Sequence, residues 1–385
     1  MTRKTYDFVI IGAGVFGAWT AHFLRRNGAS VALLDAYGPA NTRASSGGET
    51  RVIRMGYGPD ELYTRWSMRS LPVWREFAAR IGREIFQQTG VLWLSNDEDA
   101  YLKSVGRVLG LAGVEHEELK ADEIARRWPQ LRFHDVTCGV LEPASGLLMA
   151  RTAVQLLVKE LIESGVEYLP SAAEPPSGAG KVPFIKTVTG DSMSARTFIF
   201  CCGPWLPKIF PDLLGERIFP TRQEVFFLGA SAGNMDFRPP KMPVWLHRTH
   251  PGLPYALPDI EGRGFKIAFD LHGEKFDADS GMRTVAQTSI DTLRAYLRQH
   301  IPALENAPVL ETRVCQYENT WNGDFLIDRH PDFENVWIAG GGSGHGFKHG
   351  PALAEYLTQR ILHDAPGEQR FSISAKQTAQ KRDVY

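Results

Sequence analysis

The chain of 385 residues is poor in cysteine, has no run of about twenty apolar residues, and carries no excess of either charge. Each absence removes a class of protein. Its four cysteines, Cys138, Cys201, Cys202 and Cys315, form no C-x-x-C pair and no disulfide-like framework. That fits a reducing compartment, and the expected location is cytoplasmic. Without a long apolar run there is no expected membrane span. Lys plus Arg (43) nearly balances Asp plus Glu (44) and no basic block stands out. Nucleic acid and anionic membrane surfaces are therefore not expected partners. No metal site is expected either. Arg3 and Lys4 ahead of "FVIIGAGVFGAWTAHFL" imitate a signal peptide, but Asp7 interrupts the junction and no clear small-x-small cleavage site follows. The C-terminal "KRDVY" is not a peroxisomal address.

What is present is an ordinary globular composition, 43% hydrophobic and 23% charged, at a length that allows two domains. "YDFVIIGAG" reads as a buried parallel strand entering a glycine turn, "VFGAWTAHFLRRNG" as a helix, and "SVALLDA" as the next strand. "PDELYTRWSMRSLPVWREFAARIG" has helical spacing, with Pro72 expected to start a new segment. "TGVLWLS", "GVLEPASGLL", "RTFIFCCGPW" and "NVWIAGGG" read as further strands, and "RTAVQLLVKELIESG" and "SIDTLRAYLRQHI" as helices. "SAAEPPSGAGK" reads as a surface loop. Apolar strands ending in glycine recur at three separated places. The expected fold is therefore α/β with a two-domain α+β arrangement. A Rossmann-like dinucleotide domain would be built from residues 1–84, 146–218 and 320–385, and a mixed or antiparallel-sheet substrate domain from 85–145 and 219–319.

Gly12-Ala13-Gly14-Val15-Phe16-Gly17 is a G-x-G-x-x-G between strand and helix. Gly12 permits the turn, Gly14 lets the backbone approach a pyrophosphate, and Gly17 lets helix and strand pack closely. Asp35 ends the second strand, where a carboxylate accepts from an adenosine ribose. The motif does not choose between NAD and FAD. In "SSGGETRVIR", Ser45, Ser46 and Thr50 can donate to a phosphate or a flavin ring, with Arg51 and Arg54 close behind.

With "GAGVFG", "ETRVIRMGYG", "TGVLWL", "RWPQL", "LEPASG", "CCGPW", "FKIAF", "RVCQY", "DFLIDRHP" and "GGSGHGFK" in this order, the chain resembles the monomeric sarcosine oxidase and N-methyltryptophan oxidase group of the D-amino-acid-oxidase-like flavoproteins. The resemblance implies FAD, linked covalently through Cys315. It implies Lys266 at the site of oxygen reduction, Arg54 and Lys348 as the binders of a substrate carboxylate, and Arg51 near the flavin ring. His345 would stand beside the substrate, with Tyr255 and Tyr317 in the pocket wall. Gly344, Gly346, Phe347 and Lys348 would lie where the glycine-dense segment meets the flavin. The implied partners are a small amine and O2, and the group's name suggests a monomer.

The chain also departs from the group. Ser46 and Gly47 replace a histidine pair, Leu246 replaces a pocket methionine, and Asp270 stands where a second active-site histidine is expected. His272, two residues on, would share Asp270's face by strand alternation, and His349 is expected at the surface. The implied reaction is oxidation of a carboxylate-bearing secondary amine to an imine, with hydrogen peroxide as second product. An ionised Asp270 would work against the uncharged amine that this reaction needs. Sarcosine, other N-methyl amino acids, cyclic imino acids and a larger biosynthetic imino acid all remain open as substrates. A dehydrogenase passing electrons to a partner or quinone is the alternative, against which Lys266 argues.

Overall fold

A computed structural model describes residues 5–377. Arg3, Lys4 and the C-terminal "KRDVY" lie outside the described residues. Strand Thr5–Ile11 sits centrally in a seven-stranded sheet, parallel to Val31–Leu34 on one side and Ser192–Phe200 on the other. Glu167–Leu169 extends the sheet beyond Val31–Leu34, while Val336–Gly340 lies parallel to Ser192–Phe200 and Leu326–Arg329 antiparallel to Val336–Gly340. This sheet thus draws together three stretches far apart in sequence. Val31–Leu34 is buried throughout, with Val31 and Leu33 in one core cluster and Ala32 and Leu34 in another, so both faces of the sheet are covered.

Helix Val15–Arg26 packs against Ala150–Glu163 and Gly350–His363. Its Trp19 is fully buried and meets Trp74 edge to face at 5.1 Å. Trp74 belongs to helix Glu61–Ile81, which runs unbroken through Pro72. The expectation of a new segment at Pro72 was wrong. Proline costs a helix interior about 3 kcal/mol, and here Leu71, Trp74 and Phe77 bury one face of that helix around it. Packing overrides the local penalty.

A second sheet has eight strands in the order Val309–Thr320, Ile218–Leu228, Phe265–Phe269, Pro254–Leu257, Val244–His247, Val91–Ser95, Cys138–Glu142 and Glu117–Lys120. Its pairings are antiparallel except Val244–His247 with Val91–Ser95. A small sheet of Thr50–Ile53, Gly146–Met149 and Phe86–Gln87 lies beside the two, carrying Arg51 and leading directly into Arg54. The parallel strands end at Ile11, Phe200 and Gly340, each followed by glycine or cysteine. In open α/β sheets ligands bind beyond such strand ends. Among the described residues no helix is long and apolar enough to cross a membrane.

Candidate active site

Two cavities open beyond those strand ends. The larger, about 350 Å³, is lined by Gly12, Gly14, Asp35, Ser45, Arg51, Cys315, Gly344, Gly346 and Phe347 among others. The smaller, about 90 Å³, is lined by Thr50, Arg54, Tyr255, Lys266, Asp270, His345 and Lys348. Arg51, Cys315, Tyr317, Gly344 and Phe347 line both, so the cavities meet at these side chains.

The glycine turn forms part of the larger cavity's wall. Gly12 has φ +104°, and a Cβ there would lie 2.3 Å from the Cys201 carbonyl oxygen. Gly17 lines neither cavity; a Cβ on it would fall 1.9 Å from the Gly12 oxygen. It serves the close helix–strand contact. Asp35 accepts from the Ala13 amide at 2.7 Å and the Tyr37 amide at 2.9 Å, so its carboxylate ties the turn to the second strand. Burial pushes its pKa up, and the amides oppose this. Each oxygen keeps acceptor capacity for a hydroxyl. Ser46 Oγ accepts from the Val15 amide at 3.1 Å. Arg51 donates to the Ser45 carbonyl at 2.8 Å and approaches Cys315 Sγ at 3.6 Å.

In the smaller chamber, Arg54 donates to the Gly56 carbonyl, with its guanidinium 4.3 Å from the Tyr57 ring centre and 4.7 Å from that of Trp93. Lys348 Nζ donates to Tyr57 Oη at 2.6 Å and to the His345 carbonyl at 2.9 Å. Lys266 is buried and donates to the Thr50 carbonyl at 2.8 Å. Tyr317 donates to Asp270 Oδ1 at 2.6 Å. His345 stacks on Phe325, its ring nitrogens 3.2 Å from Tyr57 Oη and 3.1 Å from the Gly323 carbonyl. It shapes the wall from a fixed position.

These surroundings oppose charge. Burial, reinforced by nearby arginine, pulls Lys266 and Lys348 well below the usual lysine range. Burial pushes Asp270 up to about 7, against the Tyr317 hydrogen bond, Arg54 and Lys348. Tyr255 is likewise pushed up, mainly by burial.

The matching family description is FAD dependent oxidoreductase, covering residues 7–360. The chain belongs to this family. It is 30% identical over 362 residues to a monomeric sarcosine oxidase of Bacillus sp. (strain NS-129), with 92% of each chain covered. It is 30% identical over 377 residues to the peroxisomal sarcosine oxidase of Homo sapiens, with 94% of each covered. Its fold is similar to that of L-proline dehydrogenase from P. horikoshii, with a TM-score of 0.84 at 20% identity over 99% of this chain and 100% of that one.

This FAD-dependent oxidoreductase has a cradle that fits its cofactor. The Gly12 turn leaves no room for a side chain, and Glu318 presents a buried carboxylate oxygen, Oε2, with no hydrogen-bond partner among the described residues, in the wall of the larger cavity. Sequence reasoning missed Glu318, along with Tyr57 and Glu142. Glu142 accepts from the Met55 and Gly56 amides at 2.6 and 3.0 Å and from Trp93 Nε1 at 2.8 Å, and so holds the loop that carries Arg54. Nothing periodic marks such buried carboxylates.

Three expectations need correcting or narrowing. His349 is fully buried, with Nε2 2.8 Å from Tyr57 Oη, because the glycine-dense segment turns inward before helix Gly350–His363. His272 is exposed and lines neither cavity, because strand Phe265–Phe269 ends before Asp270 and the alternation stops there. Thr50 and Lys348, expected at the cofactor, line only the smaller chamber.

Proposed function

We propose that this FAD-dependent oxidoreductase oxidises the C–N bond of a small amine bearing a carboxylate, giving an imine that hydrolyses and hydrogen peroxide. The observation that carries the reading is the meeting of the two cavities. A chamber holding Arg54, Lys348, Lys266 and Asp270 opens onto the dinucleotide cavity at Cys315. The names of the similar proteins, sarcosine oxidase and L-proline dehydrogenase, point to amino acids whose nitrogen is a secondary amine.

Gly12, Gly14, Asp35 and Ser45 would hold FAD, which would supply the two-electron acceptor for the amine and the means of reducing O2. Arg54 and Lys348 bind the substrate carboxylate. Arg54 offers a planar fork already oriented by Tyr57 and Trp93, and charge-assisted bonds contribute roughly 1.5–3 kcal/mol each. An incoming carboxylate also favours the charged form of Lys348, offsetting its burial. Leu246, Leu257 and Val225 close the chamber with apolar surface and exclude water. Lys266, with its affinity for a proton lowered by burial, can take up a proton as negative charge develops on reduced oxygen. Cys315 is the one cysteine that lines both cavities, which supports it as the point of covalent attachment.

The test is to offer sarcosine and L-proline to the holoprotein in air, following oxygen uptake and peroxide. Stoichiometric peroxide is expected. Bleaching of the bound cofactor without peroxide would replace the oxidase with a dehydrogenase, and no response from either amine would overturn the reading.

A further inference from the structure

Asp270 is the one carboxylate lining a chamber whose other charged side chains are Arg51, Arg54, Lys266 and Lys348. Its amide donates to the Leu253 carbonyl at 3.1 Å, which fixes the backbone. Oδ1 accepts from Tyr317 at 2.6 Å, while Oδ2 takes no hydrogen bond among the described residues. The groups facing it come from every neighbouring element. Tyr317 comes from Val309–Thr320, Tyr255 from Pro254–Leu257, Arg54 from the loop after Thr50–Ile53, and Lys348 from the turn Phe347–His349. Lys266 stands four residues back on the strand that leads to Asp270. A substrate held by its carboxylate at Arg54 and Lys348 brings its nitrogen into this same small space. In water that nitrogen is an ammonium, yet imine formation needs its lone pair.

We propose that Asp270 is the base that takes the proton from the substrate's ammonium, so that the enzyme binds small zwitterionic α-amino acids and oxidises them as the free amine. The step balances as R2NH2⁺ plus Asp270 carboxylate giving R2NH plus Asp270 carboxylic acid. One N–H bond breaks, one O–H bond forms, and no electrons are exchanged. This rests on the reading of Arg54 and Lys348 as carboxylate binders. It also resolves the conflict expected between an ionised Asp270 and an uncharged amine: the ion pair arrives and the neutral pair reacts.

The chamber's own lysines show how it treats an ammonium. The burial and positive neighbours that hold Lys266 and Lys348 well below their usual range act equally on a substrate ammonium placed between them. The same burial raises Asp270. Donor and acceptor are thereby drawn towards one another, the condition under which a positioned base is most effective. Tyr317, bonded to Oδ1, leaves Oδ2 for the proton.

Because Asp270 must be ionised to accept, kcat/KM should fall about tenfold per pH unit below an apparent pKa near 7. The experiment compares wild type with Asp270→Asn and Asp270→Glu as holoproteins. Sarcosine and L-proline are the probe amines, and acetate is a probe of the carboxylate site, read from the perturbed visible absorption. Asp270→Asn should lose roughly 10²–10³-fold in kcat/KM at pH 7 and recover as the pH rises towards the amine's own pKa. Acetate binding should be kept or tightened. Asp270→Glu, which retains a base should Asp270→Asn not load cofactor, should keep an acid limb near its wild-type position. An Asp270→Asn profile that matches wild type, or an Asp270→Glu enzyme without the limb, would overturn the proposal. If acetate leaves the spectrum unmoved and neither amine reacts, the carboxylate site itself is wrong and both readings fall together.

Discussion

Arg54 is held from three sides before any substrate arrives, by the rings of Tyr57 and Trp93 and the Gly56 carbonyl. Arg54→Ala should raise KM for acidic amines about 10- to 150-fold, the equivalent of ~1.5–3 kcal/mol, and leave the visible spectrum of the bound cofactor in place. Arg54→Lys should recover little, since a point charge replaces a fork. Glu318 makes a different prediction. Burial raises its carboxyl to about 7, above the ordinary glutamate value of 4.5, so between those values the folded protein holds more proton than the unfolded. Its contribution to stability is present at low pH and declines as the pH rises towards 7, by on the order of 1 kcal/mol per pH unit. Glu318→Gln apoprotein should therefore melt above wild type at pH 8 and lose that advantage at pH 5. A constant difference between the two pH values would contradict this. At this scale the cationic residues were legible because they stand inside dense motifs. Glu142, Glu318 and the buried His349 were not, because a polar residue turned inward carries no local mark of its burial.

The elements were read best where pattern and context agreed. Thr5–Ile11, Val15–Arg26 and Val31–Leu34 follow from an apolar run, a glycine turn and a capping glycine. Helix Glu61–Ile81 was misjudged at Pro72, where burial of Trp74 and Phe77 outweighs a local rule, and Asp270 fell beyond the strand expected to carry it. Gly17 shows how tightly one element depends on the next. Gly17→Ala would push a Cβ to 1.9 Å from the Gly12 oxygen, so helix Val15–Arg26 must move off the turn. Overpacking of this kind costs about 1–3 kcal/mol. Differential scanning calorimetry should show a lower Tm, and FAD uptake by the apoprotein should weaken. An unchanged Tm with normal uptake would mean that the turn tolerates a side chain.

Across the whole molecule, the seven-stranded sheet collects strands from near both ends of the chain and from its middle. The eight-stranded sheet supplies Lys266, Tyr255, Cys315 and Tyr317 from its own strands. That long-range assembly could be anticipated only from the recurrence of apolar strands ending in glycine; register and the way the cavities join follow from packing that no local stretch records. The most direct test of the account is the visible absorption of pellet and supernatant after acid precipitation of the purified protein. A yellow pellet is the predicted result: covalently held FAD, which supports Cys315 as its point of attachment. Colour released to the supernatant would contradict that bond. A folded but colourless protein that takes up no added FAD would contradict the reading of the site as a whole.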